Sequence, residues 1–589
     1  MEKLRIFYTQ NLSKHRNALQ QVKRGLNFLA LLRLTVFLLV ALSMYFFWSS
    51  WIAPWIFLLG LVVFLYLVSR YVDYKREKAY LERLVTINET ELVVLEGRFH
   101  HLFNGEEFME QGHPYAQDLD LFGRGSFYQY CNRTALGQGS KMLAKLLLDD
   151  MPADISKKQE AIKELSALPE WRQQFWALAG NRRPKVSHEV VSHWMKNHKP
   201  FVPVWMRYFA PGFLVISILL IVGGILGFFP ESLILIWYLL GWIIVGRFGK
   251  KSMRFSSHVS QAFDTIVQYQ RLLEELEHRD FNAVLLKEFK ESLHLNGDSV
   301  SKTLKKFKRF MSMLEQQNNL MVVIFGQGLM LWTPYFVNRL EAWMDKYGSQ
   351  VEDWFKAIAY FDAYNCLGNY AFNHPDHTYP KILKNRLVLE VKDLGHPLIN
   401  AEKNVLNNFS IDRGRFSIIT GANMAGKSTF LRAVALQIVM ANVGLPVKGK
   451  DVKYTPVRLL TSMRSSDSLT DDTSYFYAEL KRLKYIIDEL GKGDCFVVLD
   501  EILKGTNSVD KAEGSKKFVE RLVHSGTTGL VATHDLSLCE LSQKLPQVEN
   551  HYFDAQIVDG ALYFDYKYRS GICQNMNASF LLKDMGIVD

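Results

Sequence analysis

The stretch Gly421-Ala-Asn-Met-Ala-Gly-Lys-Ser-Thr429 sets two glycines, a lysine and two hydroxyls in the spacing G-x-x-x-x-G-K-[ST]. A strand-like run, Phe416–Thr420, precedes it and a helix-like run, Phe430–Met440, follows. Between strand and helix, such a P-loop turns its backbone N–H groups inward and cradles a polyphosphate. The expected contacts come from Gly421, Ala422, Asn423, Met424, Ala425, Gly426 and Thr429, with Lys427 on the β- and γ-phosphates and the Ser428 hydroxyl on Mg²⁺. The pattern predicts a site for ATP with Mg²⁺. Cys495-Phe-Val-Val-Leu-Asp500-Glu501 adds a buried-strand signature ending in two acids, 73 residues beyond Lys427. Ligands bind at the C-terminal edge of such strands. There Asp500 would hold Mg²⁺ through water and Glu501 would polarise the attacking water. Phosphoryl transfer asks for little beyond positioning and charge neutralisation. Thr533-His534-Asp535 follows another short strand, and His534 would contact the γ-phosphate as a sensor.

The elements that must position these residues share one grammar. From about Arg386, short β-branched runs at Leu387–Val391, Phe416–Thr420, Arg458–Met463, Phe496–Leu499 and Leu530–Thr533 alternate with helical patterns. That alternation predicts an α/β domain with a largely parallel sheet. Near the end, Ala555–Phe564 reads as a hairpin around an Asp559-Gly560 turn.

The preceding chain is different. Leu34–Ser69 contains no charged residue, and a break at Ser49-Ser50 and Pro54 divides it into two short spans, 34–50 and 53–69. Tyr208–Gly246 is interrupted only by Pro230-Glu231-Ser232, giving spans at 208–229 and 232–246. Lys23, Arg24, Arg33, Arg70, Lys75, Arg76 and Lys78 flank the first hairpin; Lys196, Lys199, Arg207, Arg247, Lys250, Lys251 and Arg254 flank the second. Neither outer turn carries Lys or Arg. The positive-inside rule therefore predicts a multi-pass protein of the inner or cytoplasmic membrane with every long segment in the cytoplasm. A third uncharged stretch, Leu320–Phe336, would put the P-loop on the wrong side if it spanned, so it is expected as a buried or interfacial helix. Leu119–Leu148 and Ile155–Leu165 have helical periodicity, and residues 255–375 read as long helices, with a cap at Asp298-Ser299 and interruptions at Gly326 and Pro334.

Bulk properties set wide bounds. The 589 residues are 48% hydrophobic and carry a net charge of +10, which suits a phosphate-bearing partner, either nucleic acid or anionic lipid. Lys302–Arg309 is a basic, helix-compatible segment that reads first as a solvated face. Five scattered cysteines with no C-x-x-C pair argue against a disulfide framework or zinc site.

The motif Thr420–Arg432 resembles the T-G-P-N-M-x-G-K-S-T-x-x-R of the MutS family within the ABC-type ATPases, with Ala422 where proline is usual. Asp500–Thr506 resembles its D-E-I-G-R-G-T, Ser474–Glu479 its S-T-F-x-x-E signature segment, and Thr533–Leu536 its switch. Leu119–Gly123, Cys131–Gly139 and Lys157–Ile162 are similar to its core helices. The resemblance implies a helical MutS-type core and lever followed by an α/β P-loop (ABC-type) ATPase domain, to which the apolar runs add α-helical membrane hairpins, the second an insertion in the core that soluble members lack. The expected divisions are 1–33 basic helix, 34–70 first hairpin, 71–114 helical connector, 115–206 core, 207–248 second hairpin, 249–384 lever and core, and 385–589 ATPase domain. The resemblance further implies a homodimer in which Ser474 completes the partner's site in trans and Asp510 lies in the adjacent D-loop. DNA, mismatch repair included, is implied by the family alone. About forty residues separate the first hairpin from the core, too few for a mismatch-reading wedge domain, and the chain stops at Asp589 without a tetramerisation tail. The family's adenine-stacking aromatic is expected from outside Asn404–Ser410. A transport-associated ATPase and a nucleotide-gated membrane scaffold stay open as alternatives.

Overall fold

The computed structural model describes residues 2–48, 50–151, 153–180, 186–295, 298–384, 386–463, 475–504, 507–558 and 561–574. Its first hairpin pairs the helices Glu2–Phe47 and Ala53–Leu95 across a short turn. Pro54 lies in the first turn of the second helix, where its missing N–H has no intrahelical partner to lose. The expected division at 33 is absent: Glu2–Phe47 is one continuous helix through the basic segment and into the first apolar span. The second hairpin joins Met206–Ile225 to Glu231–His278. By length and composition all four helices can cross a membrane, and their most apolar windows are at most 22% buried. Phe37, Leu42, Trp51, Leu59, Leu219 and Ile243 all point outward. A core hairpin would have buried these groups, because each apolar side chain removed from water stabilises by about 1.5–3 kcal/mol.

The stretch 320–336 is no single helix. It breaks into a π-turn at Val322–Gly326, the short helix Gln327–Met330 and the start of Trp332–Tyr347, with Leu331 in the left-handed region at φ 50°. Leu320 and Met321 are exposed, while Gln327 and Gly328 lie against the second hairpin. The carbonyl of Gly328 fills the place a Cβ on Gly241 would need, at 2.0 Å. Ser217 Oγ accepts from Trp237 Nε1 (2.9 Å) and donates to the freed Leu329 carbonyl at 2.8 Å. An interrupted helix leaves backbone groups without partners, and hydroxyl groups of neighbouring helices satisfy them.

The helix Val351–Asn373 runs through the core of the helical frame and is buried along nearly its whole length. Two polar clusters fasten it. Glu91, from the second helix of the first hairpin, accepts from Asn369 Nδ2 (3.0 Å), Asn373 Nδ2 (2.9 Å) and Arg133 Nε (2.7 Å). Tyr8, from the first helix, donates to Asn373 Oδ1 at 2.7 Å. Thus both hairpin helices are bonded to the same central helix at their ends remote from the turn. The second cluster surrounds Asp362, which accepts from the backbone N–H groups of Ala135 and Leu136 and from Trp176 Nε1. Complete burial pushes its carboxyl up to about 7, against the pull of those donors. A Cβ on Gly139 would come within 2.1 Å of this carboxylate. The stretch Cys131–Gly139 is therefore built around one buried acid.

The C-terminal part holds a six-stranded sheet in the order Tyr568–Ser570, Val548–Phe553, Phe416–Gly421, Thr528–Ala532, Cys495–Asp500, Arg458–Ser462. Every neighbouring pair is parallel except the antiparallel edge strand Tyr568–Ser570. A smaller sheet of Lys381–Ile382, Lys450–Tyr454, Leu387–Leu394 and Asn407–Asp412 is mainly antiparallel. The expected hairpin near the end forms, with Val558 paired to Ala561; Asp559 and Gly560 lie outside the described residues. One apolar core runs from the helical frame into this domain. Polar contacts reinforce the join: Arg432 pairs with Asp120 at 3.1 Å, and Arg458 with Asp150 at 3.0 Å.

Two expectations need correction. Leu119–Leu148 is helical only at Phe127–Cys131 and Gly137–Leu147, because Asp120, Gly123 and Gly125 take positive φ and turn the chain. Leu119, Leu121 and Phe122 bury themselves from that turn, so their apolar spacing mimics a helix. The expected connector 71–114 is helical to Leu95, then turns at Gly97, Gly105 and Gly112, all with positive φ. The cap at Ser299 forms as expected, accepting from Lys302 N at 3.2 Å.

Candidate functional site

The strand Phe416–Gly421 is buried at every position and pairs on both sides, so the loop that follows leaves from the middle of the sheet. The helix Lys427–Val443 begins directly after it. Gly426 at the helix start has φ 99°, a left-handed conformation without strain only for glycine. Even with that conformation allowed, a Cβ there would sit 2.9 Å from the Tyr566 ring. Asn423, Met424, Ser428 and Thr429 are exposed on the loop, while Gly421, Ala425 and Lys427 are buried. Met424 adopts φ 65°.

Three charged or titratable groups from three strand ends converge beside this loop. Lys427 Nζ donates to the carbonyls of Gly421 (2.8 Å) and Ala422 (2.9 Å) and lies 3.3 Å from His534 Nε2. The same ring nitrogen is 3.1 Å from Glu501 Oε1. It can donate to the carboxylate or accept from the ammonium, but not both at once. Burial lowers the pKa of Lys427, opposed by the Asp500 and Glu501 carboxylates. Burial, and then Lys427, lower that of His534. The imidazole is therefore neutral at physiological pH.

Glu501 stands directly after the strand Cys495–Asp500 with φ 48°, and Leu503 follows at φ 61°. Such conformations cost of order 1–3 kcal/mol each and persist only when the surroundings impose them. Here Glu501 N donates to the Ala532 carbonyl at 2.9 Å. The buried Glu479, on the helix Tyr475–Glu489, accepts from Leu503 N (2.5 Å) and Lys504 N (3.0 Å). Burial raises the pKa of Glu479 against those two donors. The Ser474–Glu479 motif by itself implies no task for Glu479; its geometry is that of a clamp on the loop bearing the two acids.

The loop, Asp500, Glu501 and His534 line one cleft of about 920 Å³. Its far side carries Tyr563, Phe564 and Tyr566, which sequence reasoning missed. Tyr566 follows His534 by 32 residues in an irregular stretch with no motif, and Asn407 Nδ2 holds its carbonyl at 3.0 Å. Asn404–Ser410 does contain an aromatic, Phe409, but it is 2% exposed and packs against Phe430 and Tyr568. It is unavailable to a ligand, which leaves Tyr566, 41% exposed, as the aromatic nearest the loop. Asp510 is not in the cleft. It sits in the exposed first turn of Ser508–His524, where its backbone N–H donates to the cap Asn507. Ser474 lies outside the described residues.

These features define a class: a mainly parallel α/β domain whose central strand passes through a glycine-bounded loop into a helix, with acids and a histidine gathered at the sheet's C-terminal edge. Residues 417–582 match the family described as MutS domain V. That match makes this part of the chain similar to the C-terminal domain of MutS proteins. It is 32% identical over 200 residues to "MutS protein homolog 4" of Homo sapiens, covering 32% of this chain and 21% of that protein. It is 31% identical over 237 residues to "DNA mismatch repair protein MutS" of Thermotoga maritima, covering 39% of this chain and 29% of that protein. The chain thus spans under a third of the length of the relatives it matches.

Proposed function

We propose that this protein is a membrane-anchored ATPase of the MutS type, working as a homodimer, in which Mg²⁺-dependent ATP hydrolysis moves the helical frame. The observation that carries this reading is the convergence of Lys427, Asp500, Glu501 and His534 on one cleft beside the loop. The donor set fits the group: a buried ammonium, an exposed hydroxyl on Ser428 and the carboxylate of Asp500 line a cleft within the usual size range of ligand pockets. ATP with Mg²⁺ would supply the phosphoryl group and the charge that Lys427, Ser428 and Asp500 hold in place. Glu501 orients and polarises water. His534, kept neutral, offers one ring nitrogen to the γ-phosphate position. Tyr566 is placed to cover the base. Ser474 of each head would complete the partner's site.

The four outward-facing apolar helices support crossing of the inner or cytoplasmic membrane, with the ATPase in the cytoplasm. The bonds from Tyr8 and Glu91 to the central helix support a mechanical link between that anchor and the heads. A duplex-DNA role, mismatch repair included, rests on the relatives alone. The test is DNA affinity of the full-length protein in detergent at two salt concentrations, with and without ATP. Contacts to phosphates make the affinity fall steeply with salt. Salt-dependent, ATP-modulated binding is expected, and its absence removes DNA from the proposal while leaving the ATPase intact.

A further inference from the structure

A cleft of about 480 Å³ lies where the second hairpin enters the cytoplasmic frame, far from the phosphate loop in sequence and in fold. One wall is the helix Glu231–His278, which continues without a break from its uncharged span into Lys250, Lys251 and Arg254. At 1.5 Å per residue, Lys250 and Arg254 stand about 6 and 12 Å beyond Gly246, the last uncharged residue of the span. The headgroup layer begins there, with a depth of roughly 5–8 Å on each face. The other wall is His193–Phe201, which brings Lys199 to the same opening. Trp194, Phe201 and Phe255 form the apolar floor, and Lys251 Nζ sits 5.9 Å from the Phe201 ring centre.

This arrangement is held from behind. Glu341, only 2% exposed, accepts from the backbone N–H groups of Phe201 (2.9 Å) and Val202 (3.1 Å) and lies 2.9 Å from His198 Nε2. Glu341 is thus occupied in fixing the wall, and Glu352 pairs with Lys196 on its outer side at 3.9 Å. Among the described residues, Lys199, Lys250, Lys251 and Arg254 have no carboxylate partner and are exposed. By contrast, at the first hairpin Arg76 pairs with Asp73 and Lys78 with Glu82. Trp205 and Tyr208, exposed at the start of the adjoining helix, are the residue types that settle at a membrane–water boundary.

We propose that this cleft binds the phosphodiester headgroup of an anionic phospholipid in the cytoplasmic leaflet. Lys250, Lys251 and Arg254 neutralise the phosphate, and the aromatic floor takes the glycerol and upper acyl carbons. The inference rests on the bilayer placement proposed above. It would make lipid composition an input to the frame, since the same helix continues into the core at Val259, Ile266 and Leu273.

The test reconstitutes the full-length protein into nanodiscs of phosphatidylcholine containing a minor fraction of phosphatidylglycerol. Lipids retained after extraction into detergent are then read by native mass spectrometry. Retention of phosphatidylglycerol over phosphatidylcholine is expected, reduced about tenfold or more by the combined substitutions Lys250→Gln, Lys251→Gln and Arg254→Gln. The combination Lys75→Gln, Arg76→Gln and Lys78→Gln should leave it unchanged. Equal retention of both lipids, or equal loss in both variants, would overturn the site by reducing it to diffuse surface charge. Displacement of the lipid by excess inorganic phosphate would reassign the cleft to free phosphate compounds. A protein that never enters the discs would instead defeat the bilayer placement itself.

Discussion

Lys427, His534 and Glu501 form a chain of contacts at 3.3 and 3.1 Å in which one imidazole nitrogen faces an ammonium and a carboxylate. A neutral ring can switch partners without moving, which makes the triad responsive to charge arriving in the cleft. Replacing Lys427 with Ala should abolish nucleotide binding in a filter or fluorescence assay. Glu479 predicts a subtler result. It touches none of the proposed ligand groups, yet it holds the two N–H groups following the acids. Glu479→Ala should lower kcat by about 10²-fold, since misplacement by about 1 Å has that effect, while nucleotide affinity stays within a few-fold. Equal losses in both would mean that Glu479 only stabilises the fold. At this scale the positions of the glycine-bounded loop and the two acids beside one cleft could be read from spacing because they lie in short motifs at strand ends. Glu479 and Tyr566 could not, since each reaches the site by long-range packing.

The helix Val351–Asn373 is the element through which the others communicate. Glu91 is 1% exposed and its partner Arg133 also lies in the interior, so removing one partner leaves a buried charge uncompensated. Arg133→Met should destabilise the protein by about 3–5 kcal/mol in denaturant titration. Asp362 gives a pH signature. Its folded pKa, about 7, lies above the ordinary 3.8, so the folded state binds more protons between these values. Its contribution to stability therefore falls as pH rises from about 4 to 7 and is flat above. Wild type minus Asp362→Asn, compared by thermal melting across that window, should show this slope; no pH-dependent difference would mean that the carboxylate is ionised in the fold. The elements themselves were unevenly legible. Strands such as Cys495–Asp500 are apolar up to their final acid and declare themselves, while Val548–Phe553 contains Glu549, Asn550 and His551. Its place inside the sheet comes from pairing with Phe416–Gly421, not from its own hydropathy. The turns near Asp120 were masked by apolar residues that bury themselves at helix-like intervals.

At the scale of the whole molecule, two apolar hairpins and one α/β domain meet on a single helical frame. The first hairpin's helices run from their apolar spans directly into bonds with the central helix, and the central helix leads into the smaller sheet at Lys381–Ile382. The helical hairpins were readable from two long apolar stretches, Leu34–Ser69 and Tyr208–Gly246, each broken once by a turn signal. Their attachment to the frame was not, since it depends on single polar residues far apart in the chain. The central claim, that Glu501 drives ATP turnover in a bilayer-held protein, is tested most directly by phosphate release from full-length protein in nanodiscs. Wild type should turn over ATP only with Mg²⁺, and Glu501→Gln should bind ATP with near-unchanged affinity while losing turnover by about 10²-fold or more. Undiminished turnover by Glu501→Gln, or none by the wild type, would contradict it.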